Sequence, residues 1–147
     1  MSSTRPDWKR LYPDASLAQW RDWRWQARNM VRTLAELQAK VPLTADEVRG
    51  CERTEKIFRL GITPYYLSLI DPAHPDCPVR RQAIPVAAEA EVSPGELRDP
   101  LGEDHHRPVR GIVHKYPDRV LFLALDRCST YCRHCTRRRI TSGDELK

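Results

Sequence analysis

Cys128-Ser-Thr-Tyr-Cys132-Arg-His-Cys135-Thr-Arg-Arg-Arg139 places three thiols within eight residues. An uninterrupted apolar run, Val-Leu-Phe-Leu-Ala-Leu at residues 120–125, comes shortly before it and predicts a strand buried on both faces. The cysteines are therefore expected on a loop at the carboxyl end of a strand. In parallel α/β folds, the loops at that end converge over the sheet or barrel and carry the functional sites.

The number of thiols indicates a metal centre with an open position. A closed structural zinc site has four protein ligands, and an iron–sulfur cubane held entirely by protein has four cysteines. Three cysteines leave one metal position without a protein ligand, as catalytic metal sites do. A zinc site that recruits a histidine remains an alternative, with these candidates for the fourth ligand: His134, His105, His106 and His114. The adjacent pair His105 and His106 is expected to be solvated, since no cysteine accompanies it in its loop.

The spacing Cys-x-x-x-Cys-x-x-Cys after a strand resembles the cluster loop of radical S-adenosylmethionine (SAM) enzymes. The longer string Cys-Ser-x-Tyr-Cys-Arg-His-Cys-Thr-Arg-Arg-Arg resembles one branch of them, the lysine 2,3-aminomutase family. The resemblance implies an α/β fold, in which an N-terminal helical region leads into the first strand and cluster loop of a truncated radical SAM (β/α) partial TIM barrel. It divides the chain into an arm (1–15), a helical region (16–92), a linker (93–110) and the start of the barrel with its [4Fe-4S] loop (111–147).

The same resemblance assigns roles on the cluster loop. It implies that the iron ligands are Cys128, Cys132 and Cys135. It places Tyr131 and His134 beside bound SAM, and it gives Arg137 the α-carboxylate of the substrate, which suits the planar fork of a guanidinium. Arg138 and Arg139 are expected to form salt bridges in a following helix.

A second cofactor, pyridoxal 5′-phosphate (PLP), is implied for the segment before the cluster loop. Cations and an aromatic ring can hold an aromatic phosphate, although this pattern alone is weak. The family places PLP contacts here, which implies phosphate contacts for Lys115 and Arg119 and a ring contact for Tyr116. The family usually has arginine where this chain has Lys115, and lysine lacks the bidentate fork.

The implied function is that of a PLP-dependent amino acid 2,3-aminomutase, which is an isomerase. The favoured reaction is the conversion of L-lysine to L-β-lysine by radical 1,2-amino migration. A related enzyme acting on glutamate or another amino acid, and a non-catalytic iron–sulfur or zinc module, are the alternatives. The implied partners are the amino acid, a one-electron reductant such as flavodoxin or ferredoxin, and further copies of the full-length chain. Later barrel strands and the PLP-anchoring lysine are absent from the 147 residues, so the chain alone is expected to be an inactive fragment.

Composition limits the other classes. The chain has 147 residues and a net charge of +5, and its basic excess is local: Arg137–Arg139 lie beside the cluster loop, and Arg80 and Arg81 are paired upstream. Cations beside a metal site more often meet small anions than a polymer, so nucleic acid is not an expected partner. No membrane span or signal core is visible, and five cysteines without a disulfide pattern fit the cytoplasm. Cys51 and Cys77 are expected to be structural thiols.

Helical periodicity dominates the first half of the chain. It predicts one long helix over residues 17–40, capped by Ser16, and a second over residues 45–60, capped by Thr44. Shorter helical segments are expected over residues 65–70 and 83–92, with core and capping roles for Arg80 and Arg81. The long helix should turn this stripe inward: Trp20, Trp23, Ala27, Met30, Val31, Leu34, Leu37 and Val41. Trp25 projects to the other side and should be covered by the first fifteen residues or by another chain.

Overall fold

The computed structural model of the protein describes residues 7–141, which form two compact units. The first unit takes in the described residues up to Ala90 together with Ser129–His134, and the second takes in Glu91–Cys128 and the described residues from Cys135 onward. No helix within this described part is long and apolar enough to cross a membrane.

The first unit is built from short helices. Their bounds are α1 Trp8–Leu11, α2 Leu17–Arg21, α3 Trp23–Arg28, α4 Leu34–Gln38, α5 Ala45–Thr54, α6 Pro64–Ser68 and α7 Pro78–Ala83, followed by a 3₁₀ turn at Ala87–Ala90. Helix α6 confirms the predicted short helix, with Thr63 as its cap and Pro64 at its first position.

The single helix predicted over residues 17–40 is wrong, because the chain is interrupted twice. Asp22 has an extended backbone and its side chain accepts from the Arg24 amide, so it ends α2 and starts α3. Val31 then pairs its backbone with Ile62 in an isolated β-bridge, and Thr33 starts α4 with a capping box. Local caps and one long-range backbone pairing replace the helix that the apolar period alone predicts.

The other helical predictions need smaller corrections. Helix α5 is capped by Thr44 as predicted but ends at Thr54, six residues before the predicted end. The helix predicted over residues 83–92 is wrong: α7 ends at Ala83, and residues 84–92 contain only the 3₁₀ turn at Ala87–Ala90. Gly50 of α5 faces the backbone at Pro85 and Val86, where a Cβ atom would lie only 2.6 Å from backbone atoms. Glycine therefore permits the close packing of α5 on this segment.

The core of the first unit contains aliphatic residues from nearly every element. Leu37, Ile62, Leu67 and Ile70 have no exposed surface. The unit also buries an ion pair between Arg80 and Glu47, in agreement with the core role predicted for Arg80.

The tryptophans near the chain start separate into packed and exposed rings. Trp25 packs edge-on against Tyr12 with ring centroids 5.6 Å apart, which confirms the prediction that the first fifteen residues cover it. Trp20 stacks on Trp8 at 4.6 Å. Trp23 is 67% exposed, so its predicted place on the inward stripe is wrong, because the break at Asp22 shifts the helical phase.

The second unit contains an antiparallel hairpin of β1 (Ile112–Tyr116) and β2 (Arg119–Phe122), and ends in the short helix α8 (Arg138–Thr141). A 3₁₀ turn at Asp104–His106 lies in the segment predicted as a linker. The strand predicted over residues 120–125 is thus shorter, and it is exposed rather than buried on both faces. Pro117 and Asp118 let the chain turn back on itself, so β2 pairs with β1 instead of entering a parallel sheet. A radical SAM barrel is not visible in the described residues.

Candidate functional site

The middle of the cysteine loop, Ser129–His134, belongs to the helical unit. The amide of Tyr131 donates to the carbonyl of Gly61 at 3.3 Å, and the amide of Arg133 donates to the carbonyl of Gln82 at 2.8 Å. Cys132 lies between these two anchored residues. The loop segment is therefore held by backbone contacts on each side of one predicted iron ligand.

The Tyr131 side chain fills a space that glycine leaves open. Its ring is 8% exposed and lies 6.1 Å from the ring of Phe58. A Cβ atom added at Gly61 would overlap the Tyr131 ring and would come 3.0 Å from the sulfur of Met30. Tyr131 is thus an element of the packing here, and the SAM contact that the resemblance implies for it stays a prediction. His134, the other predicted SAM neighbour, is exposed.

Arg133 makes the most side-chain contacts on this loop segment. Its Nε and Nη2 atoms both lie 2.8 Å from Oε2 of Glu89, and its side chain is only 6% exposed. Nη2 also donates to the hydroxyl of Thr54 at 3.3 Å, and the guanidinium lies over the ring of Phe58 at 4.8 Å. The sequence analysis assigned no role to Arg133.

The three predicted iron ligands are present as cysteines that are not joined in disulfide bonds. Cys128 is exposed, whereas Cys132 and Cys135 are partly buried. Across residues 7–141, no group of three or more His, Cys, Asp or Glu side chains is placed to hold a metal ion. The donor chemistry nevertheless fits a cluster, because three cysteine thiols on one loop can supply three thiolates and leave one iron without a protein ligand.

The two other cysteines lie in the helical unit. Burial, together with the negative charges of Glu47 and Glu89, raises the pKa of Cys51 to about 11 against the opposing charge of Arg133. For Cys77, burial acts to raise the pKa, but backbone N–H groups donate to the sulfur and the pKa lies below its ordinary value. A pKa of about 11 keeps Cys51 protonated at neutral pH, which fits the structural role predicted for it.

The arginine run after the cysteines meets acidic residues within the second unit. Arg137, the predicted carboxylate ligand, forms an ion pair with Glu103, and its amide donates to the Cys135 sulfur at 3.3 Å. Arg139 forms ion pairs with Asp104 at 3.0 Å and Asp99 at 3.4 Å, which confirms its predicted structural role. Asp99, Glu103 and Asp104 were not predicted as partners of these arginines, although three acidic residues within residues 99–104 could have indicated a site for cations.

The residues predicted to contact PLP lie on the hairpin. Arg119 and Tyr116 are paired across the strands, and the guanidinium lies 4.8 Å from the centre of the tyrosine ring. Lys115 donates from Nζ to the carbonyl of Leu101 at 2.6 Å. The structure therefore brings Tyr116 and Arg119 together, while the ammonium of Lys115 binds the segment before the hairpin.

The chain is similar to known proteins over most of its length. The chain is 56% identical to L-lysine 2,3-aminomutase of Clostridium subterminale over 135 residues, which are 92% of the chain and 32% of that relative. It is 48% identical to L-lysine 2,3-aminomutase of Bacillus subtilis over 136 residues, 91% of the chain and 29% of the relative. The chain belongs to the lysine 2,3-aminomutase family.

The chain also resembles a protein that is named for a different amino acid. Glutamate 2,3-aminomutase of Clostridioides difficile is 38% identical over 120 residues, 82% of the chain and 28% of that relative. No family model matches the chain. The chain spans about a third of the length of the curated relatives that it matches.

Proposed function

We propose that the chain provides the cluster-binding part and a portion of the PLP-binding part of an amino acid 2,3-aminomutase, an isomerase. The observation that carries this proposal is 46–56% identity over about nine-tenths of the chain to four proteins named L-lysine 2,3-aminomutase. The three cysteines of the loop, none of them in a disulfide bond, support it. A [4Fe-4S] cluster with SAM supplies a carbon radical when bound, and PLP supplies an acceptor for the migrating nitrogen.

The residues of the chain divide this work. Cys128, Cys132 and Cys135 would hold three irons of the cluster, and Tyr131 and His134 would border SAM. Arg137 would bind the α-carboxylate of the amino acid through its planar fork. The PLP phosphate would be held by Lys115 and Arg119, with Tyr116 against the ring.

Arg137 supports this assignment by the partner it already has. Glu103, which is 8% exposed, presents a carboxylate to its guanidinium, and an α-carboxylate offers the same two acceptor oxygens. The bond to Glu103 uses one guanidinium nitrogen, Nη1, and the other N–H donors of Arg137 would be available to a substrate carboxylate beside Glu103.

L-Lysine is the favoured substrate and L-glutamate the second candidate, because the identity to the lysine-named relatives described above exceeds the 38% found for the glutamate-named relative. A one-electron reductant such as flavodoxin or ferredoxin, and a second copy of the full-length chain, are the proposed partners. The cytoplasm is the proposed compartment, since free cysteines persist under reducing conditions.

Anaerobic reconstitution with iron and sulfide tests the proposal. We expect about four irons per chain, a reduced-state electron paramagnetic resonance signal, and a change in that signal when SAM is added. Replacing the three loop cysteines by alanine should abolish iron uptake, whereas Cys77→Ala, the matched control, should retain it. One zinc per chain without iron or sulfide would instead identify a zinc module, and a spectrum indifferent to SAM would refute the proposed chemistry.

A further inference from the structure

We propose that Arg133 is a positioning residue that fixes Cys132 for cluster binding by holding the middle of the cysteine loop against the helical unit. This inference rests on the proposed function, since it concerns a predicted iron ligand. Its physical content, however, is the rigidity of one loop segment within one compact unit, which can be measured without iron.

The first step of the argument concerns the backbone. Hydrogen bonds from Tyr131 to Gly61 and from Arg133 to Gln82 attach the residues on each side of Cys132 to the helical unit. A residue flanked by two anchored neighbours has few conformations open to it. Its thiol is therefore placed by the protein fold before any metal binds, which reduces the ordering that binding must supply.

The second step concerns the charge that keeps this segment in place. The Arg133 side chain is 6% exposed and that of Glu89 is 23% exposed, so the cation has lost most of its water and depends on this carboxylate. Two guanidinium nitrogens at 2.8 Å from one carboxylate oxygen provide the replacement. If the loop separated from the helices, Arg133 and Glu89 would each lose the opposite charge that now compensates their burial.

The third step explains why arginine is needed. The guanidinium donates to Glu89 and to Thr54 Oγ1 while its plane lies over the ring of Phe58. A planar group with donors at its edges can do both at once, whereas a lysine ammonium is a point charge that cannot stack in this way. Lysine at this position is therefore expected to hold the loop less firmly even though the charge is retained.

The test measures how fast iodoacetamide alkylates each cysteine in the metal-free 147-residue chain, with peptide mass spectrometry to separate the sites. In Arg133→Met we expect Cys132 to react about tenfold faster, which corresponds to local opening made easier by about 1.4 kcal/mol. Arg133→Lys and Glu89→Gln should each give a smaller increase, of roughly threefold. Arg49→Met, which removes an exposed arginine paired with Asp46, is the matched control and should leave the rate unchanged.

An internal reference makes the result interpretable. Iodoacetamide must reach the sulfur to react, so a faster rate at Cys132 reports opening of the loop segment. Buried Cys51 lies in the same unit and becomes reactive on global unfolding. Faster alkylation of Cys132 with Cys51 unchanged supports the proposal.

Equal acceleration at Cys132 and Cys51 in the milder variant Arg133→Lys, which keeps the positive charge near Cys51, overturns the proposal, as does an unchanged rate at Cys132. If Arg133→Met does not fold, Arg133→Lys decides the question. Failure of the wild-type chain to take up iron would refute the proposed function alone, because the alkylation pattern is measured without a cluster. Where the cluster forms, a chelator should remove iron from Arg133→Lys faster than from wild type.

Discussion

Replacing Arg80 by methionine should destabilise the helical unit severely. The Arg80 side chain is 1% exposed, and its Nε and Nη2 atoms lie 2.6 and 2.7 Å from the two carboxylate oxygens of Glu47. Nη2 also donates to the carbonyl of Pro42 at 2.7 Å, and Nη1 donates to that of Pro72 at 3.3 Å. One side chain thus joins the start of α5 to two loops.

The size of the effect follows from the Glu47 carboxylate that remains. Methionine leaves it 7% exposed and without its cation, and removing one partner of a buried ion pair costs about 3–5 kcal/mol in the free energy of unfolding. This is a large fraction of the roughly 5–15 kcal/mol available to a domain. Arg80→Met/Glu47→Met should recover part of the loss, because no buried charge then lacks a partner.

Urea unfolding followed by tryptophan fluorescence measures this loss in the correct unit. All four tryptophans lie within residues 8–25, so their emission reports on the helical unit. Arg49→Met, whose side chain is 59% exposed, should change stability by less than about 1 kcal/mol. A loss below about 1 kcal/mol in Arg80→Met would refute the argument that this pair holds the unit together.

The same pair predicts a dependence on pH. Burial acts to raise the pKa of Glu47, but the hydrogen bonds from Arg80 and Thr44 and the charge of Arg80 outweigh it, and the pKa lies below the ordinary value of 4.5. A carboxyl whose pKa is lower in the folded state stabilises the fold above its unfolded pKa, and this contribution is lost as the pH falls through the folded pKa. Wild-type stability should therefore fall below about pH 4.5, and Glu47→Gln should show a shallower fall.

Three further predictions concern packing, reactivity and capping. Gly61→Ala should lower the free energy of unfolding in urea by about 1–3 kcal/mol, because the added methyl group overlaps the Tyr131 ring. Gly95→Ala should have little effect, because no atom lies within 4 Å of the added Cβ. Equal effects of the two substitutions would argue against the packing of Tyr131 on Gly61. The pKa of about 11 for Cys51 predicts slow alkylation of this native thiol at pH 8, measured by peptide mass spectrometry, and rapid labelling there would show that the site is open to solvent. Thr44→Ala should cost about 1 kcal/mol by loss of the α5 cap, with Thr44→Ser near wild type in the same unfolding assay.

The sequence predicted local features best where one residue and its near neighbours determine where a helix begins. The caps at Ser16 and Thr44 and the proline at the start of α6 are confirmed, because each depends on hydrogen bonds or backbone restraint within a few residues. The sequence also indicated the family, because the spacing of the cysteines and the residues beside them can be read directly from the order of residues.

Tertiary structure decided what depends on distant partners. The long helix failed because Val31 pairs with Ile62, a contact that no window of periodicity contains. The apolar run of residues 120–125 predicted a buried strand, but burial depends on what covers a strand, and β2 is exposed in a hairpin.

The site shows the same division. From its own residue types, the sequence determined that three cysteines lie close to a run of arginines, because donor chemistry belongs to the side chains themselves. Only the folded chain determined that Arg133 pairs with Glu89 and Arg137 with Glu103, 44 and 34 residues away. Ion pairs over such separations form when packing brings two segments together, and neither member of the pair signals its partner in the linear chain.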